Sequence, residues 1–154
     1  MTQVLVCFDP ETQTVDFAKD ANGFISLEGG LETASLYSTL TNRRAPESNE
    51  EVIDQPFGWW GDDFPEVDGD LWGCLLWLEL GRSKLAIADL RRVQVAVENG
   101  HKWMLEDGLA STIVVTVERI DPDTINAVVN ITEPDGTQWQ KIWKVHRDNV
   151  RGTT

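Results

Sequence analysis

Apolar residues recur along this chain with two different periods. Val4, Val6 and Phe8 alternate, the turn-forming Asp9-Pro10-Glu11-Thr12 follows, and Val15 and Phe17 come next. This spacing predicts a short N-terminal β-hairpin. Asn22-Gly23 and Gly29-Gly30 punctuate the next stretch. Over 31–42 the apolar positions fall at helical spacing, and the run stops before Arg43-Arg44, whose charges suit a helix C-terminus. The apolar segment 71–80, with Trp72 and Trp77, reads as a short buried helix ending at Gly81. Ser83 fits an N-cap, and Ala86, Leu90, Val93 and Val97 form a stripe along a following long helix. Gly100 is expected to kink or break that helix, although Trp103 and Met104 continue its apolar face as far as the stop at Asp107-Gly108.

The last third of the chain changes to a period of two. Ile113, Val115 and Val117 alternate up to the turn Asp121-Pro122-Asp123, and Ile125, Ala127, Val129 and Ile131 alternate after it. Pro134-Asp135-Gly136 is a second turn, followed by Trp139, Lys141, Trp143 and Val145 on one side of a third strand. Two short turns between three strands predict a three-stranded antiparallel meander. The expected fold is therefore α+β: an N-terminal β-hairpin, two to three helices, and a C-terminal meander with the helices packed on one sheet face. No repeat, linker or low-complexity tract divides residues 1–154, so one domain is expected.

Charge changes the picture. The net charge is −13, and residues 1–70 carry 15 acids against three bases. Residues 45–70 hold nine acids and no base. A nucleic-acid surface needs clustered Lys and Arg, so nucleic-acid binding is not expected, and an anionic membrane is disfavoured for the same reason. The first ten residues lack the pattern of a signal peptide, and no apolar run is long enough to span a bilayer. The expectation is a soluble acidic domain made in the cytosol. An acidic run reads either as a solvated loop or as a docking surface that steers a basic partner. Phe57, Trp59, Trp60 and Phe64 lie inside it, so these rings either fold back on the core or anchor a partner.

Catalytic patterns are absent from the sequence. His101 and His146 stand in unrelated segments, and no nucleophile elbow, zincin or phosphate-loop motif occurs. Cys7 and Cys74 form no CxxC pair. Glu66, Asp68 and Asp70 resemble the start of a calcium loop, but the required glycine position is Leu71. Glu47, Asp62, Asp63 and Glu66 could supply paired carboxylates for glycoside hydrolysis, without any sign of a buried acid beside a solvated one. No metal or cofactor is expected.

Several words in this chain carry a family resemblance. They are Leu36-Tyr37-Ser38-Thr39-Leu40-Thr41-Asn42-Arg43-Arg44-Ala45, then Gly58-Trp59-Trp60-Gly61-Asp62, then Leu75-Leu76-Trp77-Leu78. Trp103-Met104-Leu105-Glu106-Asp107-Gly108-Leu109-Ala110 and Val117-Glu118-Arg119 follow in order. Together they resemble the baseplate wedge proteins of Mu-like contractile-tailed bacteriophages, which look related to the sheath initiators of other contractile tails and of type VI secretion baseplates. The resemblance runs over residues 31–145 and leaves 2–19 uncovered. It departs from the sheath initiators at Glu106-Asp107-Gly108, where they carry a Glu-Pro-Arg word.

The resemblance implies a structural protein of the virion tail baseplate, assembled in the bacterial host cytoplasm. Its implied partners are other wedge proteins and the tail sheath subunit, with tail tube or hub proteins nearby. The expected interaction residues are Arg43, Arg44, Gly58, Trp59, Trp60, Asp62, Trp139 and Trp143. Arg43 and Arg44 would meet a partner carboxylate or the chain's own acidic loop, or simply offset a helix dipole. Adjacent Trp59 and Trp60 cannot face the same way in an extended segment. Core packing is the expectation for Trp72, Trp77 and Trp103. The meander's third strand would offer a sheet edge to the sheath, with Trp139 and Trp143 as selective pockets, unless the N-terminal hairpin already pairs there. Some related proteins have been labelled acidic lysozymes, which makes a tail-associated muramidase the alternative.

Overall fold

Alternation and helical stripe meet in one core, because the meander buries one face and the helices cover it. The computed structural model describes residues 3–28, 31–46, 58–64, 69, 71–82 and 87–150. The three long strands are β5 (Thr112–Asp121), β6 (Thr124–Thr132) and β7 (Gln138–His146), antiparallel in the order β5-β6-β7. Their odd-numbered residues point inward. Val115, Ile125, Ala127, Val129, Ile131, Trp143 and Val145 are buried, whereas Val114, Ile120 and Ile142 face out. Helix α3 (Ile87–Glu106) lies on β5 and contributes Val93, Val97 and Met104, and α2 (Leu76–Arg82) adds Leu76, Trp77, Leu78 and Leu80. The fold is α+β, as the pattern predicts.

At the N-terminus β2 (Val6–Asp9) and β3 (Thr14–Phe17) form the expected hairpin. The chain then returns, so that β1 (Gln3–Val4) pairs with β4 (Leu27–Glu28). This second pairing is too short to leave a periodic signal. Helix α1 (Glu32–Leu40) sits between this lobe and α3. Its buried face is made of Thr33, Ser35, Ser38 and Thr39 around one leucine, Leu36. Such short side chains let backbones approach, provided each hydroxyl finds a partner. Thr33 Oγ1 accepts from Val6 N at 3.1 Å, and Thr39 Oγ1 donates to the Ser35 carbonyl at 2.8 Å. Ser38 Oγ accepts from Trp103 Nε1 at 2.9 Å.

Three expectations need correction. Gly100 does not break the helix, since α3 runs through it. A β-carbon at Gly100 would stand 2.6 Å from both the Ser38 carbonyl oxygen and Cys74 Cβ, so glycine is there for close packing. Helix α2 begins at Leu76 rather than Leu71, because residues 72–75 form an irregular stretch bridged to Asn42. In consequence Trp72 is exposed instead of in the core. Beyond these three, β7 is followed by a helical turn, α4 (Arg147–Val150), that packs on α2. Ser83 and Ala86 lie outside the described residues.

The fold also buries an ionisable group. His101 is fully enclosed, its Nδ1–H donates to the Val97 carbonyl at 2.9 Å, and Ser35 Oγ–H donates to Nε2 at 2.9 Å. Desolvation lowers its pKa, with the Val97 bond opposing. Above the unfolded value of about 6.5 neither state is charged at this residue. As pH falls, the unfolded chain takes the proton first, so stability present at higher pH is lost through this range. Urea unfolding at pH 7.5 and 5.5 should show lower stability at 5.5. His101→Gln should reduce that difference; an identical pH dependence in the variant would contradict this role.

Candidate functional site: an exposed aromatic row and an open sheet edge

Polar contacts between two charged segments build the first surface. After α1 the chain runs beside residues 72–75: Cys74 N–H donates to the Thr41 carbonyl and Arg43 N–H donates to the Cys74 carbonyl, both at 3.0 Å. Trp77 Nε1 donates to the Arg43 carbonyl at 2.9 Å. The Arg43 guanidinium then reaches the Leu71 carbonyl, while the N–H of the same peptide unit, from Trp72, donates to Asp62 Oδ1 at 3.1 Å. A trans peptide presents its two polar groups on opposite sides, so Arg43 and Asp62 clamp this plane between them. Next to the clamp, Arg44 pairs with Asp63 at 3.0 Å. The chain's own acidic loop is thus the target of Arg44, and the two segments singled out in the sequence meet in space.

The clamp fixes a row of rings. A 3₁₀ turn over Trp60–Asp63 brings Trp59 and Trp60 together at a centroid distance of 5.5 Å. Trp59 packs on Trp72 at 5.6 Å, and Trp72 on Tyr37 of α1 at 6.2 Å, edge-on. Glycines make this geometry possible. Gly58 has φ +118, and a β-carbon there would come 2.8 Å from Arg44 Cβ. A β-carbon at Gly61 would overlap the Trp59 ring at 2.3 Å. All four rings are exposed, Trp60 to 74%, and Phe64 at the end of the turn is exposed to 79%. Scattered surface aromatics need no explanation, whereas a contiguous exposed row is a feature that interaction surfaces share. A cleft of about 690 Å³ opens beside Trp72, lined among others by Ser38, Arg43, Leu71, Lys102 and Trp103.

The second surface is the free side of β7. Gln13, in the β2–β3 turn, donates from Nε2 to the Lys144 carbonyl at 3.0 Å and accepts at Oε1 from His146 N–H at 3.1 Å. The backbone groups of Lys144 and His146 therefore point away from β6. The β6–β7 register runs without a bulge, so Gln140 and Ile142 point the same way by the two-residue period. Among the described residues no strand lies there, and the N-terminal hairpin forms its own sheet instead of extending this one. The two tryptophans expected at this edge face inward. Trp143 is 1% exposed and meets Phe8 edge-on at 6.2 Å, with Lys141 Nζ 5.4 Å from its ring, and Trp139 is half-buried against the core. Neither belongs to the aromatic row. Ile142, 52% exposed, is the apolar side chain that the edge strand does present outward.

Of the acids considered for hydrolysis, the structure describes Asp62 and Asp63. Asp62 and Asp63 hold the clamp and the ion pair, and Glu47 and Glu66 lie outside the described residues, as do Phe57, Asp68 and Asp70. Among the described residues the carboxyls with clearly displaced pKa values are Asp9, Asp121 and Asp135, all lowered, chiefly by backbone N–H bonds in exposed turns. Burial pushes the Cys74 thiol up to about 12, which makes it a poor nucleophile. No group of three His, Cys, Asp or Glu able to hold a metal occurs among the described residues, and no described helix is long and apolar enough to cross a membrane. Sequence reasoning missed Gln13, Tyr37 and Trp72; only their packing reveals them.

Comparison with known proteins adds a lineage. Residues 31–138 match the model of a family described as phage protein GP46. The chain is also similar to the Mu-like prophage FluMu protein gp46 of Haemophilus influenzae, 26% identical over 126 residues that span 81% of this chain and 91% of that protein. The family match contains the whole aromatic row and both arms of the clamp.

The clamp predicts different fates for adjacent arginines. Arg43→Ala removes a charged hydrogen bond from a partly buried carbonyl and should cost about 1.5–3 kcal/mol in urea unfolding. It should also weaken the near-ultraviolet circular dichroism of the packed rings. Arg44→Ala breaks an ion pair about half exposed at both partners and should cost less than about 1 kcal/mol. Equal losses in the two variants would contradict the assignment.

Proposed function

The chain belongs to the GP46 family of phage proteins, and from that premise we propose that it is a structural subunit of a contractile phage tail. In this reading it is an inner baseplate wedge protein near the tail tube that joins other wedge subunits and templates the first ring of sheath. The observation that carries the reading is the exposed row Tyr37–Trp72–Trp59–Trp60, anchored at the Leu71–Trp72 peptide by Arg43 and Asp62. Rigid, half-exposed aromatic rings lose little side-chain entropy on binding and supply much of the energy at protein interfaces. A catalytic reading has no comparable support, because Asp62 and Asp63, the described carboxylates of this loop, hold backbone and Arg44. The outward backbone groups of Gln140 and Ile142 favour the sheath-templating half of the proposal, since a starter subunit has to offer main-chain partners to an added strand. The resemblance to wedge proteins and sheath initiators points the same way.

Trp60 separates interface from core. It is 74% exposed, so Trp60→Ala should change unfolding free energy by no more than about 0.5 kcal/mol. Loss of an interface anchor commonly costs about 2–4 kcal/mol of binding. Co-expression with the neighbouring wedge proteins and affinity purification should therefore recover little partner with the variant. Normal recovery of wedge proteins with Trp60→Ala would contradict the proposal.

A further inference from the structure

Gln13 is the one non-glycine residue with positive φ among the described residues, at +56°. Side chains other than glycine, asparagine and aspartate avoid this conformation, so something must hold it. Its carboxamide is fully engaged: Nε2 donates to Pro10 O at 2.8 Å within the turn and to Lys144 O at 3.0 Å, and Oε1 accepts from His146 N–H at 3.1 Å. The two contacts to β7 use the donor and the acceptor that a residue of an added strand would use. Gln13 thus fills the C-terminal rung of an edge that no strand pairs among the described residues, 131 residues away in sequence from Lys144.

We propose that Gln13 is a stop that sets the length and register of strand addition to β7. The proposal rests on the sheath-templating reading above and names what that edge accepts: one extended segment of the sheath subunit, paired with residues 138–142 and ending before Lys144. With the Lys144 carbonyl and the His146 N–H already bonded, the outward groups left to the segment are those of Gln138, Gln140 and Ile142 and the N–H of Lys144. Cross-strand register places Thr116, Val128 and Ile142 in one row on the outer face. The side chain that continues this row beyond exposed Ile142 has an apolar, β-branched neighbour, so a β-branched residue suits it. On the inner face the segment would meet half-buried Trp139 and the Lys141–Glu32 ion pair. An edge that pairs along its whole length would accept a strand in several registers two residues apart, and a fixed plug at one end removes that freedom.

Residue-resolved hydrogen exchange on the full chain, alone and with the phage's own tail sheath subunit as probe, tests this. In the wild-type chain alone, the amide of His146 should exchange slowly and those of Gln140 and Ile142 fast. Adding sheath subunit should slow Gln140 and Ile142 at least tenfold. Gln13→Asn tolerates the same backbone conformation but is too short to reach β7, and Gln13→Glu keeps the acceptor while losing the donor to Lys144. In the free Gln13→Asn chain His146 should become fast, and on adding sheath subunit it should be slowed together with Gln140 and Ile142, as pairing runs on. If His146 stays fast in that complex while Gln140 and Ile142 are slowed, Gln13 does not set the limit, and the templating reading survives without it. If Gln140 and Ile142 are not slowed in the wild-type mixture, the templating reading falls and the stop with it. Protection of these amides that grows with the concentration of the chain alone would identify a second copy as the occupant and overturn the choice of partner.

Discussion

Two missing β-carbons set the geometry on which the aromatic surface depends. At Gly100 of α3 a side chain would strike the Ser38 carbonyl and Cys74, and at Gly73, with φ +79, it would come 2.1 Å from the Thr41 carbonyl. Without them α1, residues 72–75 and α3 approach at backbone distance, and Thr41, Arg43 and Cys74 can exchange main-chain hydrogen bonds. Every later contact inherits that placement. Trp77 reaches the Arg43 carbonyl from the core side, the Arg43 side chain reaches back to Leu71, and Asp62 holds the other end of the same peptide. A junction deep in the helical layer therefore decides where Trp72 stands on the surface. Overpacking at such a junction cannot be absorbed by a flexible tip, because the nearest atoms at Gly73 are the carbonyl oxygen and carbon of Thr41.

The elements governed by a single period were legible in the sequence. Alternation in 112–146 and the stripe Leu90, Val93, Val97 needed only the rule that one face is buried, and the strands and α3 follow it. The pairing of the Arg43-Arg44 segment with the acidic loop was legible as one of the open alternatives, because opposite charges in a chain this acidic have few other partners. Trp72 was not. Its apolar neighbours Leu71, Leu75 and Leu76 imitate a helix, and only the approach of residues 72–75 to α1 turns it outward. Gly100 illustrates the same limit: local propensity counts a helical glycine as a weakness, and tertiary packing makes it a requirement. Gln13 and the two-residue strands β1 and β4 lie beyond periodicity altogether, since a single side-chain contact across 131 residues leaves no local trace.

In the proposed role the two surfaces would divide the chemistry of assembly between them. The aromatic row offers area and rigidity, which suit a joint between neighbouring subunits that does not have to repeat. The β7 edge offers main-chain groups, which suit a contact that must be the same in every copy of a growing ring. Both are attached to the same core, the first through α1 and Trp77, the second through Trp143 and Val145 inside the sheet. A subunit built this way can pass a fixed orientation from one neighbour to the next without moving parts. The buried hydroxyls of α1, bonded to Val6, His101, Trp103 and, for Thr39, the Ser35 carbonyl, add to that fixed placement.

The central claim is that this phage protein is a fixed part of the tail baseplate. Immunogold electron microscopy of purified phage particles, with mass spectrometry of their isolated tails, tests it most directly. The account predicts that the chain is present in the tails and that gold labels a single site, at the baseplate end where the sheath begins. Finding the chain free in the lysate but missing from purified tails, or labelled along the length of the sheath, would contradict it.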